Sequence, residues 1–465
     1  MDPEQIYLKL PRVLQTVALN LEGWRVNRLR FDARFRALLH EYDARSLASR
    51  DEIVAFRDRR LRAFLVEAAT KVPFYRERFR RAGIDPRDIR TMDDLQALPV
   101  LRKREVQDQL QALRSPAFRG ESLMCHTSGT TGGGLTFPVS VDGYREQWAT
   151  WWRYRQWHGV RSGTLCATFG GRSVVPIAQR KPPFWRTNWA GSQILFSAYH
   201  LNESTAAMYL DEIERSGAQW LHGYPSFIAL LGSFALSLNR KIHVSAITLG
   251  AESLLPSQER IIGEAFGATP LQHYGMAEAI GNISQCPRGA LHIDEDFAAL
   301  ELVPMGANKC SVVGTNFTNP AFPLIRYEVG DVATRSTEHC DCGRPGRIVE
   351  RIDGRQEDYV IAKSGSRLSR LDHIFKDLVH VREAQILQSV PGEVTIAVVR
   401  GPGYDETAGA HLTREVARRF GDDVAFQIVY RNELPRTKSG KLRLVVSTLK
   451  EGQLNPLAQD PPPTA

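Results

Sequence analysis

The chain reads as an α/β protein: a large N-terminal domain followed by a small α+β C-terminal domain. Three observations carry this. From 120 to 350, short apolar runs such as Thr164–Thr168, Ser245–Leu249 and Ser311–Thr315 alternate with helical runs such as Ser204–Ser216 and Pro225–Leu238. Such alternation points to a sheet with parallel strands and crossover helices. A polar stretch at Asp353–Asp358 reads as a linker, and a compact segment follows it. At 465 residues, the length fits two or three domains of ~100–200 residues each.

Taken in order, residues 1–119 are a helical lead-in to the large domain. Trp24, Phe31, Phe35 and Leu38–Leu39 recur at helical spacing, and Asp51–Ala69 repeats the pattern until Val72–Pro73 ends it. Thr91–Asp94 looks like the capped start of a short helix. Residues 120–353 form the core of the large domain. Residues 354–450 form the small domain, with strands at Tyr359–Ala362, Ala384–Ser389, Val394–Val399 and Ala425–Tyr430 and a helix at Thr407–Phe420. The tail 451–465, with three consecutive prolines, reads as disordered.

Composition excludes several classes. With 43% hydrophobic and 24% charged residues the chain is neither disordered nor collagen-like. No run approaches the ~20 apolar residues of a transmembrane helix, and the N-terminus lacks signal-peptide architecture, so the expected location is the cytoplasm. The mostly apolar Val13–Leu21 reads as a packed amphipathic helix, with a helix resting on a membrane surface as the alternative. The net charge of +8 falls wholly within residues 1–120, which hold 22 Arg, 3 Lys and 17 acids. Acids interleave there (Arg57-Asp58-Arg59, Arg76-Glu77-Arg78), which reads as solvated helix faces, so no nucleic-acid partner is expected.

The chemistry-bearing signal is His126-Thr127-Ser128-Gly129-Thr130-Thr131-Gly132-Gly133-Gly134-Leu135. Glycines let a backbone close on an anion, and successive N–H groups and hydroxyls wrap phosphate oxygens. The alternative is a flexible surface turn. Further on come Tyr274-Gly275-Met276-Ala277-Glu278, Tyr327-Glu328-Val329-Gly330-Asp331, Gly354-Arg355 with acids after it, and Pro435-Arg436-Thr437-Lys438-Ser439-Gly440-Lys441. This ordered series of five resembles the motifs of the adenylate-forming superfamily of acyl- and aryl-CoA ligases. Gly250-Ala251-Glu252, Gly289–Asp296 and Cys340-Asp341-Cys342-Gly343-Arg344 are similar to the phenylacetate-CoA ligase group, including its coenzyme F390 synthetase-like members. The long helical lead-in around Gly23-Trp24-Arg25 is most like the CapK-like relatives.

The resemblance implies a large adenylate-forming domain and a mobile small domain. It implies ATP, Mg²⁺ and CoA, and a small carboxylic acid, aryl or hydrophobic, as substrate. Thr127, Ser128, Gly129, Thr130, Thr131 and Gly132 would cradle the β- and γ-phosphates, and Glu278 would hold Mg²⁺. Ala251, Glu252 and Tyr274, with Gly275 and Met276, would line the nucleotide slot. Asp331 would accept from the ribose hydroxyls and Arg355 would assist there. Glu357 and Asp358 would be the hinge, and Lys441 would reach the α-phosphate. Tyr224 and Pro225 would line the acyl pocket with the region around Gly170-Gly171-Arg172. Tyr224, Trp185 and Trp189 form an aromatic slot or are core aromatics. An acyl carrier protein, an amine or a sugar hydroxyl is the alternative acceptor to CoA. A scaffold that binds nucleotide without catalysis is the remaining alternative.

Two departures stand out. The Pro-Lys pair that usually follows the phosphate loop is absent, and the second position of the Tyr-x-x-Gly-Asp motif is Glu328, with Arg326 just before Tyr327. Six cysteines make no disulfide framework. Cys286, His292, Cys340 and Cys342 could complete a tetrahedral structural zinc site if the fold joins them; otherwise they are free thiols and a core histidine.

Overall fold

The structure is a computed structural model of the chain. It describes residues 3–127, 135–170, 174–176, 178–197, 200–306, 308–355, 359–363, 367–368, 371–375, 380–401, 403–436 and 442–449. The tail 451–465 lies outside the described residues.

The lead-in is helical, in helices Arg12–Arg30, Ala33–Ala44, Arg50–Lys71 and Pro73–Ala82. Their ends follow local chemistry. Asp32 accepts from the Phe35 N–H, Ser49 and Glu52 form a capping box, and Pro73 opens the helix that the left-handed Gly83 closes. The Arg50–Lys71 helix packs Leu61, Phe64, Leu65 and Ala68 against Phe137, Phe322 and Tyr327 of the large domain.

The expectation of solvated faces holds for Arg59, Arg76, Arg80 and Arg81 and is corrected for Arg45, Arg50, Arg57 and Arg60. Arg57 and Asp58 are buried. Arg50, Arg57 and Arg347 converge on the fully buried carboxylate of Glu295. Arg153 pairs with Asp294 and Asp296, Arg45 also reaches Asp296, and Arg60 pairs with Glu146. Arg45, Arg50, Arg57 and Arg60 are therefore neutralised internally, by acids distant in sequence.

A six-stranded sheet forms the centre. Its order is Trp185–Asn188, Gln193–Phe196, Cys166–Phe169, Trp220–Gly223, Ala246–Leu249, Pro270–Leu271. Five strands run parallel, and only the edge strand Trp185–Asn188 is antiparallel. Helices Ala206–Ser216, Pro225–Ser237 and Pro256–Phe266 bury apolar faces against it, as the alternating pattern requires. Helix Val141–Trp157 packs Ala149 and Trp152 with Cys166, Trp220 and Ala246. Gly223 has no room for a side chain, since a Cβ would stand 2.1 Å from the Phe169 carbonyl oxygen.

A second, seven-stranded antiparallel sheet runs Ala299–Gly306, Lys309–Thr315, Tyr327–Arg335, Ile348–Arg355, Leu291–Ile293, Asn282–Gln285, His273–Gly275. It corrects the linker reading at its first residues. The strand continues through Asp353 to Arg355, and Asp353 is held by Lys309 at 2.6 Å, Arg351 at 2.6 Å and Thr334 at 2.7 Å. A polar sequence can be a strand when its charges find partners within the sheet.

The small domain is a four-stranded mixed sheet, Ala425–Arg431, Glu393–Arg400, Val381–Val390, Val445–Ser447, with helix Glu406–Phe420 packed through Leu412 and Val416 onto Ile386, Ile396 and Val398. It touches the large domain where the Arg382 guanidinium lies 4.3 Å from the Phe234 ring centroid. Among the described residues no helix is long and apolar enough to cross a membrane.

Candidate active site

Ligands of parallel sheets bind beyond the carboxyl ends of the strands. The strand Trp220–Gly223 leads there into Tyr224-Pro225-Ser226, and Ala246–Leu249 leads into Gly250-Ala251-Glu252. Pro270–Leu271 leads into His273–Gly275, which joins the second sheet. The motif residues thus gather at one edge, between the two sheets.

The hairpin Ser122–His126/Thr136–Ser140 delivers the Gly-rich loop. Its neck closes twice: the Thr127 N–H donates to the Leu135 carbonyl at 2.9 Å, and the Leu135 N–H donates to Thr127 Oγ1 at 2.8 Å. Ser128, Gly129, Thr130, Thr131, Gly132, Gly133 and Gly134 lie outside the described residues. Glu278 is buried near this neck; burial, and then the Glu278 charge, push the Cys125 thiol up. Asn316 Nδ2 donates to the Glu278 carbonyl at 3.1 Å. Ala279, next along the chain, has φ 55°, a strained conformation for a residue with a Cβ.

The Tyr274 hydroxyl donates to Asp331 Oδ2 at 2.7 Å, joining two motifs 57 positions apart. The left-handed Gly330 (φ 85°) sets the turn of the strand at Asp331. Arg355 pairs in register with Asp331 on the adjacent strand, although its side chain lies outside the description. Gly275 allows close approach, since a Cβ there would meet Asn282 Oδ1 at 3.0 Å. The Met276 carbonyl accepts from Gln147 Nε2 at 2.8 Å. Arg326, the arginine before the Tyr-x-x-Gly-Asp motif, is buried in a two-pronged ion pair with Glu301 at 2.9 and 3.0 Å. Its role is structural.

Glu252 is one point of contact between the two domains. Its carboxylate accepts from the Ser226 N–H at 3.2 Å and from the Leu442 N–H, of the small domain, at 3.0 Å. Burial outweighs these bonds and nearby Arg436, and raises its pKa above the ordinary carboxylate range. Ala251 sits at φ 69°, a second strained residue in the site. Arg436 Nη1 donates to Ser226 Oγ at 3.1 Å, and Nη2 pairs with buried Glu383. Arg436 lies inside a motif read from the sequence and Ser226 directly follows Pro225, but nothing local marks them as a bridge between domains. Lys441, the next residue before Leu442, lies outside the described residues, as do Glu357 and Asp358.

Tyr224 and Trp185 pack partly buried against the core of the parallel sheet, and Pro225 is the first residue of its helix. Trp189 follows the edge strand and is 70% exposed. Gly171 and Arg172 lie outside the described residues.

A second constellation lies on the antiparallel sheet. Cys286, His292, Cys340 and Cys342 place their ligand atoms within 4.8 Å of one another. Cys286 Sγ is 3.7 Å from Cys340 Sγ, and Cys342 Sγ is 3.3 Å from His292 Nε2. The His292 Nδ1 sits 3.0 Å from the Gly346 carbonyl, which assigns the proton to Nδ1 and turns the Nε2 lone pair toward the cysteines. The pairing of His292 with Ile348 brings the two halves together.

The chain is similar to several known proteins. Residues 360–448 match the CapK C-terminal domain. Over 456 residues, covering 96% of this chain and 99% of its relative, the sequence is 22% identical to protein CapK of Staphylococcus aureus. Over 454 residues, 86% of this chain and 98% of the relative, it is 25% identical to the phenylacetate-coenzyme A ligase of Thermus thermophilus. In structure it is similar to 2-hydroxyisobutyryl-CoA ligase in the postadenylation state, with TM-score 0.66 at 18% identity, covering 87% of this chain and 91% of that one. The chain is thus similar in sequence to CapK and to phenylacetate-CoA ligases over nearly their whole length, shares the fold of an acyl-CoA ligase, and carries a match to the CapK C-terminal domain.

Proposed function

We propose that the protein activates a carboxylic acid, aryl or hydrophobic, with ATP and passes the acyl group to the thiol of CoA. A carboxylate oxygen attacks the α-phosphorus and expels pyrophosphate. The thiolate sulfur then attacks the carbonyl carbon of the acyl-adenylate and expels AMP. The observation that carries this reading is the Tyr274–Asp331 contact at 2.7 Å beside Glu252, Glu278 and the Thr127 neck, at the carboxyl edge of a parallel sheet. An ionised Asp331 is an acceptor-only group, suited to ribose hydroxyls, and Tyr274 fixes its rotamer. The loop from Thr127 would hold the β- and γ-phosphates. Glu278 would hold Mg²⁺, which when bound neutralises phosphate charge. Lys441 would bring a cation to the α-phosphate from the small domain, whose seat is Glu252 and Ser226. Arg355 would support the ribose, and Glu357–Asp358 would be the pivot on which the small domain turns between the two half-reactions.

The small domain is of the CapK type, which favours a second reading in which the acyl acceptor is a carrier-protein thiol, an amine or a sugar hydroxyl. ATP–pyrophosphate exchange against a panel of aryl, branched and straight-chain acids, with and without CoA, tests both. Acid-dependent exchange followed by thioester formation supports the ligase. Exchange that CoA leaves without product moves the acceptor elsewhere. Absence of exchange with every acid tried, while ATP still binds, returns the inactive scaffold.

The Cys286–His292–Cys340–Cys342 cluster is, in this reading, a structural zinc site. With Zn–S near ~2.3 Å and Zn–N near ~2.0 Å, tetrahedral edges are about 3.8 Å for sulfur–sulfur and about 3.5 Å for sulfur–nitrogen. The observed 3.7 and 3.3 Å fit those edges. Four protein ligands leave no open position, so the ion would tie the turn at 340–342 to the sheet and take no part in chemistry.

A further inference from the structure

The helix Arg12–Arg30 is held to the body by polar contacts and shows apolar residues to solvent. Its two buried positions are Gln15 and Gly23. Asn20 Nδ2 donates to the Thr187 carbonyl at 3.0 Å, and Gln15 Oε1 accepts from Arg186 at 2.6 Å. On the other side Val13 is 73% exposed, Leu14 50%, Val17 49%, Leu21 65% and Trp24 55%. At 100° per residue these five span only about 100° of the helix circumference, and about 16 Å along its axis. The stripe is the reverse of what a packed amphipathic helix shows, so the packed reading of Val13–Leu21 does not hold.

Its surroundings are basic and aromatic. From Lys9 to Arg30 the chain carries Lys9, Arg12, Arg25, Arg28 and Arg30 against the single acid Glu22, which is paired with Arg25 at 2.7 Å. The Arg28 guanidinium lies 4.7 Å from the Trp24 ring centroid. Asn20 Oδ1 accepts from the Trp189 N–H at 2.7 Å, which sets the exposed Trp189 alongside the same helix. An apolar stripe with tryptophan beside it and cations around it is the signature of a helix lying in the headgroup layer of an anionic bilayer. A second copy fits less well, because pairing stripe to stripe would bring like-charged arginines together.

We infer that this face docks the protein on an anionic lipid surface, with Val13, Val17, Leu21 and Trp24 entering the interface and Arg12 and Arg28 facing lipid phosphates. The experiment is flotation of the full chain with vesicles of phosphatidylcholine alone and of phosphatidylcholine mixed equally with phosphatidylglycerol, at low and high salt. The expected result is flotation with the mixed vesicles at low salt, weakened by salt and nearly absent with phosphatidylcholine. Each lipid-facing cation is worth about fivefold, so Arg12→Ala with Arg28→Ala weakens binding about 25-fold. Leu21→Glu abolishes it, with pyrophosphate exchange and circular dichroism unchanged; Val17→Gln repeats the test should Leu21→Glu fail to fold. Flotation equal in wild type and these variants, or none with anionic vesicles, overturns the inference. A wild-type dimer that Leu21→Glu dissolves, without vesicle binding, assigns the face to a second copy instead.

Discussion

Glu295 gives the sharpest test of how the lead-in is fastened to the catalytic domain. Its carboxylate is fully buried and accepts from Arg50 at 2.6 and 3.1 Å, from the Arg347 side chain at 2.9 Å, from the Arg347 N–H at 3.1 Å, and from Arg57. Replacing it with Gln keeps the shape and removes the charge, leaving the buried guanidinium of Arg57 with Asp58 at 2.8 Å and depriving Arg50 and Arg347 of their shared carboxylate. Removing one partner of such a network costs about 3–5 kcal/mol. The pH dependence supplies an independent figure. Burial alone would raise this carboxyl, but Arg347, Arg50 and Arg57 outweigh it and hold it at about 2, against 4.5 ordinarily. That shift corresponds to roughly 3 kcal/mol. Because the folded value is depressed, the unfolded chain binds the proton first; the contribution is whole above about pH 4.5 and is lost as pH falls toward about 2. All eight tryptophans lie between Trp24 and Trp220, so urea unfolding followed by their fluorescence reports the large domain. Glu295→Gln is expected to lose about 3 kcal/mol at about pH 7, and the gap to wild type is expected to narrow by about 1.4 kcal/mol at about pH 3.5. A loss below about 1 kcal/mol, or a gap insensitive to pH, would refute the clamp.

Three further outcomes follow from the site. Tyr274→Phe removes a hydrogen bond to a charged acceptor, worth about 1.5–3 kcal/mol. It is expected to lower kcat/KM for ATP about 10- to 100-fold, chiefly through KM, and steady-state exchange kinetics at varied ATP check this. Arg436→Ala strands the buried Glu383, whose carboxyl burial already pushes above the ordinary range despite Arg436, and removes the contact to Ser226. Adenylation should slow about tenfold or more, while thioester formation from a synthetic acyl-adenylate changes less; rapid-quench comparison of the two half-reactions separates them. Metal analysis should find zinc bound to the wild type and lost in Cys342→Ser and His292→Ala, with a lowered melting temperature and an unchanged ATP KM. Full zinc content in both variants would remove the ion from this cluster.

The sequence carried the large domain's alternating elements well because the parallel strands are short and mostly apolar and buried, and the helices between them bury apolar residues against the sheet. Pro225, Gly217 and Gly267 punctuate those helices where they are seen to start and stop. The motifs were legible for a related reason: glycines and strained backbone leave local marks, as Gly330 does beside Asp331. What could not be read were pairings between distant segments. Arg57 and Glu295 are 238 positions apart, and nothing near Arg57 distinguishes it from a solvated arginine. Asp353 reads as linker because the Lys309 and Thr334 that hold it sit on other strands of the sheet, 44 and 19 positions away. Cys286 and Cys340 showed the right chemistry, but only the strand pairing of His292 with Ile348 brings them together. Val13–Leu21 was read as packed because apolar spacing marks a stripe without saying which way it faces.

The central claim is that a carboxylate oxygen attacks the α-phosphorus of ATP at this site. The most direct measurement starts from the acid identified by exchange, labelled with ¹⁸O in its carboxylate, and follows it through one turnover with ATP and CoA. The bridging oxygen of an acyl-adenylate leaves with AMP, so mass spectrometry is expected to find one labelled oxygen in each AMP formed and none in inorganic phosphate. Label in inorganic phosphate, or unlabelled AMP, would contradict the account.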